Sequence, residues 1–140
     1  FRYADADATA FGYAPGQVPG MPESFTAAEP LVTAAERLTA EEGRQLWRGT
    51  MLSGGSFVTA ENVGATRDVF PAELSTDMET TALAQVCTGH GTPFLAVRSI
   101  SDLCGPAADQ QFHLELDVVA RISARAVLRV LPALEGADRA

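Results

Sequence analysis

Short apolar runs alternate along the chain with longer stretches in which apolar residues recur at helical spacing, and this alternation predicts an α/β fold. Phe1-Arg2-Tyr3 reads as the end of a strand. Residues 16–22, with two glycines and two prolines, read as a loop. A helix is predicted over 27–42, with Pro30 in its first turn, Leu31, Ala34, Ala35 and Leu38 on one face and Gly43 as its stop. A strand over 46–52 runs into Ser53-Gly54-Gly55-Ser56. A short helix over 62–70 stops before Pro71. A short strand over 73–75 leads to a helix over 78–90, whose buried stripe is Met78, Ala82, Val86 and Cys87. The clearest strand is 94–100, built on Phe94-Leu95-Ala96-Val97. After a loop over 103–109, a last helix spans 116–131. It buries Val119, Ala120, Ser123, Ala126, Val127 and Val130 and turns Arg121, Arg125 and Arg129 to solvent. Residues 135–140 read as a frayed tail.

The candidate chemistry lies where two of these strands end. Ser75-Thr76-Asp77-Met78-Glu79-Thr80-Thr81-Ala82 places a carboxylate at the start of a helix, and Val97-Arg98-Ser99-Ile100-Ser101-Asp102 ends in a cation and a second acid. If both strands are parallel, these groups meet at the carboxyl edge of one sheet, where open α/β sheets bind ligands. Two acids and an arginine there suit a polyhydroxylated ligand whose leaving group needs a proton; the plainer reading is a structural Arg–Asp pair. Ser53-Gly54-Gly55-Ser56 is open to two readings, a tight turn or a phosphate-binding loop, and its spacing matches neither common phosphate-loop pattern. Phe11, Tyr13 and Val18, on a Gly/Pro-rich loop, either pack on their own core or line a contact surface.

Composition narrows the function. The 140 residues, 46% hydrophobic and 20% charged, are expected to form one globular domain over 1–140. A net charge of -8 argues against a nucleic-acid partner. No apolar run approaches the ~20 residues of a membrane span. Cys87 and Cys104 lack a C-x-x-C spacing and read as free thiols of a reducing, cytoplasmic compartment, so neither metal nor cofactor is expected. The chain opens on Phe1, not Met, inside a strand, the expected look of a fragment or processed chain.

The two polar motifs together resemble the purine nucleoside phosphorylase superfamily, and most closely its hydrolytic branch, the 5'-methylthioadenosine/S-adenosylhomocysteine nucleosidases. Further elements fall in family order: Thr9-Ala10-Phe11-Gly12-Tyr13 with Gly16-Gln17-Val18-Pro19-Gly20, Ser53-Gly54-Gly55-Ser56-Phe57, and Asp109-Gln110-Gln111-Phe112-His113. The resemblance implies a nucleoside phosphorylase-like fold, a twisted mixed sheet flanked by helices, with the N-terminal strands missing. It implies hydrolysis of an N-glycosidic bond, in methionine salvage, with release of adenine from a purine nucleoside. In that reading Asp102 protonates the leaving base, Glu79 and Met78 hold the ribose, and Arg98 orients Glu79. Phe57 and Val58 wall the base, with Leu116 a further candidate. Phe11, Tyr13 and Pro19 cross a homodimer to line the neighbour's pocket. Gly55 stands where the family usually has Asp, Asp77 where it has Glu, and a short insertion follows Asp102. Only the family's C-terminal portion is matched; the water-activating glutamate is expected on a separate N-terminal part, supplied in cis or in trans. A nucleoside phosphorylase shares the Met-Glu and Ser-Asp elements, and an incomplete remnant acting as a binding module is the third class.

Overall fold

The computed structural model describes residues 1–37, 45–104 and 108–135; for 108–115 and 133–135 it describes the backbone alone. Among the described residues three strands, β1 (Arg2–Tyr3), β2 (Met51–Ser53) and β3 (Ser75–Asp77), form a sheet in the order β1-β2-β3. Both ladders are parallel, with Tyr3 opposite Ser53 and Ser53 opposite Asp77. All three carboxyl ends therefore reach one edge. The pairing continues past the strands, since the Ala4 amide donates to the Ser53 carbonyl at 2.8 Å and the Gly54 amide to the Asp77 carbonyl at 3.0 Å.

Among the described residues four α-helices accompany the sheet, α1 (Glu29–Glu36), α2 (Val63–Val69), α3 (Thr80–Gly89) and α4 (Ala108–Glu135), with a short 3-10 turn over Thr9–Phe11. α3 packs on β2, and α1 packs on α4. Leu52 on β2 and Ala84 on α3 are buried, and Phe25, Phe70, Val32 and Ala34 extend the core from loops and α1. This is an α/β fold with a helix-flanked sheet, as the alternation of patterns implied.

Several boundaries differ from the sequence reading. The strand read over 46–52 shrinks to Met51–Ser53, because Leu46 and Trp47 are exposed and lie off the core. β3 begins at Ser75, not Glu73; its register against Met51 decides where the ladder starts. α1 opens at Glu29, and Arg37 caps its C-terminus; residues 38–42 of the helix read there lie outside the described residues. α2 lies inside the expected 62–70 span.

The largest correction concerns 94–100, which forms no ladder among the described residues. β-propensity favours an extended chain, but a strand also needs a neighbouring backbone. Here the Phe94 carbonyl accepts the Ala28 amide at 2.9 Å, and the Ser99 amide donates to the Ser123 hydroxyl of α4 at 2.9 Å. The segment is held by a loop and a helix side chain.

α3 buries a different face from the one read by apolar spacing. Ala82 and Val86 are exposed, and Met78 is exposed ahead of the helix; Thr80, Thr81 and Ala84 face inward. Threonines are tolerated there because their polar atoms are satisfied. The Thr81 hydroxyl donates to the Arg2 carbonyl at 2.8 Å, and its amide donates to the Ser53 hydroxyl at 2.9 Å. α4 starts at Ala108, ahead of the expected 116, and continues through Pro132, whose missing amide removes one bond from the last turns. Val130 is buried, and Arg121, Arg125 and Arg129 face solvent as expected. Ala120 and Val127, read as core, are exposed. Residues 136–140 of the tail lie outside the described residues; Glu135 is still helical.

Candidate active site

The site grows from the carboxyl edge of the sheet. Ser53 ends β2 and Asp77 ends β3, side by side in register. The Ser53 hydroxyl, 1% exposed as a residue, donates to Asp77 Oδ1 at 2.6 Å. The same Asp77 oxygen accepts the amides of Glu79 at 3.2 Å and Thr80 at 3.0 Å, and Asp77 Oδ2 accepts the Thr80 hydroxyl. Asp77 thus caps the start of α3, a role suited to a carboxylate facing free amides and the positive end of the helix. Glu79 stands at the N-cap position without a side-chain cap bond, so its carboxylate is not taken up by the helix end.

Arg98 reaches this edge from the segment after Phe94. Its Nη2 lies 3.0 Å from Asp77 Oδ2 and 3.4 Å from Glu79 Oε2, one nitrogen between two carboxylates. The expected Arg98–Glu79 pair is present, but the nearer partner is Asp77. Four residues on, Asp102 accepts the Cys104 amide on Oδ1 at 2.8 Å and the Ser101 hydroxyl on Oδ2 at 2.9 Å. These bonds hold a half-buried carboxyl in a tight turn, in which Cys104 takes a left-handed backbone with φ of 54°. Burial, then the Asp102 charge, pushes the Cys104 thiol up, against a smaller opposing pull from Arg67 of α2.

Phe57 and Val58 follow β2 on the loop that turns at Gly54 and Gly55. Phe57 is exposed and Val58 half-buried, and the Asn62 side-chain amide donates to the Phe57 carbonyl at 3.0 Å. Gly55, the departure from the resembled family, donates its amide to Asp5 Oδ2 at 2.6 Å, so Asp5 ties this loop to the end of β1. Phe11 at 83% exposure, the half-buried Tyr13 and the exposed Pro19 lie on the loop after β1. That loop returns to the strand at Gly16, whose φ of 77° and close approach to the Tyr3 carbonyl leave no room for a side chain. A groove of about 330 Å³ runs between residues 97–101 and α4, lined by Arg98, Ser101, Leu116 and Val119 among others. Leu116 and Arg98 both line it, while Asp102, Glu79, Met78, Phe57 and Val58 lie outside its lining. Among the described residues no group of three or more His, Cys, Asp or Glu side chains is arranged to hold a metal ion, and no helix is long and apolar enough to cross a membrane. Cys87 and Cys104 are both free thiols.

Asp77, which the sequence marks only as a departure from the family's Glu, stands at the centre of this edge. The signal available in sequence was local: Asp77 stands two residues before Glu79, at the entry of a helix, where a carboxylate can accept the free amides of the first turn. Burial raises the Asp77 carboxyl, but the Ser53 and Thr80 hydroxyls, the Thr80 amide and the Arg98 charge outweigh it and hold it below the ordinary carboxylate range. A carboxyl lowered on folding contributes stability that is present above its unfolded pKa and lost as the pH falls through its folded one. Wild type should therefore be more stable than Asp77→Asn near neutral pH, and the gap in their urea midpoints should shrink below roughly pH 4. A gap that stays constant across that range would assign the stabilisation to shape alone.

The chain resembles known proteins over nearly its whole length. The chain is similar to the 5'-methylthioadenosine/S-adenosylhomocysteine nucleosidase of Colwellia psychrerythraea, solved in complex with adenine, at 36% identity and a TM-score of 0.89, over 95% of this chain and 56% of that one. It is similar to the Neisseria meningitidis nucleosidase, in complex with methylthio-immucillin-A, at 37% identity and a TM-score of 0.86, over 93% and 57%. The nucleosidase of S. pneumoniae, with a transition-state inhibitor, matches at 32% identity and a TM-score of 0.87, over 95% and 58%. The chain thus spans a little more than half the length of the structures it matches. The family model described as the phosphorylase superfamily matches residues 1–134, and on that match, with the strand-end site described above, the chain belongs to the phosphorylase superfamily.

Proposed function

We propose that this chain is the C-terminal portion of a nucleosidase that hydrolyses the N-glycosidic bond of 5'-methylthioadenosine or S-adenosylhomocysteine and releases adenine. The observation that carries it is the bridge from Arg98 to Asp77 and Glu79, with Asp102 four residues further along the same segment. In the reaction the ribosyl carbon takes on oxocarbenium character, and adenine leaves readily only once N7 carries a proton. Asp102 donates that proton. Glu79 accepts hydrogen bonds from the ribose hydroxyls, and Met78 packs beneath the sugar. Arg98 keeps the clamp charged and oriented. Phe57 and Val58 offer an apolar wall to the base, and Leu116 flanks the groove beside Arg98.

The attacking water needs a base on the opposite face of the sugar. We assign that base to an N-terminal portion, joined in cis or supplied in trans. The exposed apolar side chains of Leu83, Val86, Ile100 and Leu103 are the surface it would cover. Phe11, Tyr13 and Pro19 are assigned to the pocket of a second copy in a homodimer. The free thiols fit a reducing cytoplasm, and methionine salvage is the process such an activity serves.

The test is adenine release from 5'-methylthioadenosine in phosphate-free buffer. Residues 1–140 alone should release none, and the same chain combined with its N-terminal portion should release adenine without added phosphate. Release that requires inorganic phosphate would make the protein a phosphorylase. Release by the isolated chain would require a water-activating base within these residues.

A further inference from the structure

We propose that Asp77 is a positioning residue for the ribose clamp: it anchors Arg98 at the carboxyl edge of the sheet, and so sets the place of Glu79. This rests on the nucleosidase reading above. The same Arg98 nitrogen lies between the two carboxylates, 3.0 Å from Asp77 and 3.4 Å from Glu79, and the two differ sharply in environment. The Asp77 side chain is 12% exposed, that of Glu79 is 66% exposed, and Arg98 at 43% lies between them.

Both Asp77 oxygens are held. Oδ1 accepts the Ser53 hydroxyl and the amides of Glu79 and Thr80; Oδ2 accepts the Thr80 hydroxyl and faces Arg98. Ser53 is fixed in turn, since its hydroxyl accepts the Thr81 amide. Asp77 is therefore locked to β2 and to the first turn of α3, and it cannot follow Arg98 if the arginine moves. Glu79 has no such anchor: its side chain makes no cap bond. An exposed carboxylate on a flexible stem can serve as a clamp only if something fixed orients it, and Arg98, tied to Asp77, is that fixture. With the Asp77 charge removed, Arg98 is free to turn fully onto Glu79 and compete with the ribose hydroxyls for its oxygens.

The test uses the complete enzyme, this chain with its N-terminal portion, and two probes read by calorimetry. Adenine reports the base pocket alone. 5'-Methylthio-7-deazaadenosine adds the ribose and, lacking N7, is not cleaved by protonation there. In Asp77→Asn the side-chain oxygen can still accept the Ser53 hydroxyl and the Glu79 and Thr80 amides, and Nδ2, in place of Oδ2, can donate to the Thr80 hydroxyl, so the helix cap survives while the charge goes. Adenine affinity should stay within about twofold of wild type, and nucleoside affinity should fall about tenfold or more, as for loss of a charge-assisted contact. Asp77→Glu should restore it, and in an Arg98→Met background Asp77→Asn should have little further effect. Equal affinities in Asp77→Asn and wild type, or equal losses on both probes, would overturn the proposal alone. Wild type that binds neither probe would overturn the nucleosidase reading and this proposal with it. If Asp77→Asn does not fold, Arg98→Met is read with the same probes, and undiminished nucleoside affinity there overturns the proposal.

Discussion

Asp102→Asn, in the complete enzyme, should lower turnover of 5'-methylthioadenosine about 100-fold or more, the range expected when a general acid is removed. The substitution is close to isosteric. Asparagine Oδ1 can still accept the Cys104 amide, and its Nδ2 can donate to the Ser101 hydroxyl, which otherwise donates to the carboxylate. The turn that carries residue 102 should therefore survive, and only the transferable proton is lost. Without protonation adenine leaves as a poor anion, so the penalty falls on the chemical step. Binding of an uncleavable nucleoside should change little. Single-turnover adenine release together with equilibrium binding separates the two effects. Undiminished turnover would remove Asp102 from the mechanism, and a matching loss of binding would reassign it to the structure of the loop.

Glu79→Gln should weaken ribosides about tenfold to a hundredfold, the worth of hydrogen bonds to a charged acceptor, and weaken 2'- and 3'-deoxy analogues less. A contact to an absent hydroxyl cannot be lost. The fold should tolerate the change, because Glu79 is largely exposed and does not cap α3; Asp77 does that from two residues earlier. The measurement is the affinity of each analogue for wild type and variant. Equal losses across the series would give Glu79 a packing role in place of a binding one.

Much of the fold was legible because it depends on neighbours in sequence. Pro71 after Phe70 bounds α2, Pro30 marks the first turn of α1, and the arginines of α4 face water. Two kinds of error share a cause. Apolar spacing put Met78, Ala82 and Val86 inside, yet the buried face of α3 carries Thr80 and Thr81. Hydropathy scores a threonine as polar and cannot see that the Arg2 carbonyl, the Ser53 hydroxyl and the Asp77 carboxylate satisfy it. Similarly, the β-branched and aromatic content of 94–100 signals an extended chain but carries no information about a ladder partner.

The candidate site divides in the same way. The sequence alone determined which groups were available: a Met-Glu pair entering a helix, Arg98 and Asp102 four residues apart, and an aromatic after a glycine turn. Their types and order were enough for a family resemblance, because motif chemistry is written in consecutive residues. Only the tertiary structure decided that Asp77 is the nearest partner of Arg98, that Ser53 holds Asp77, and that Asp5 takes the Gly55 amide. The Ser53–Asp77 and Asp5–Gly55 contacts join segments 24 and 50 residues apart, and they exist because parallel pairing in one register brings three strand ends to one edge. Register is a property of the paired backbones, so no single segment encodes it.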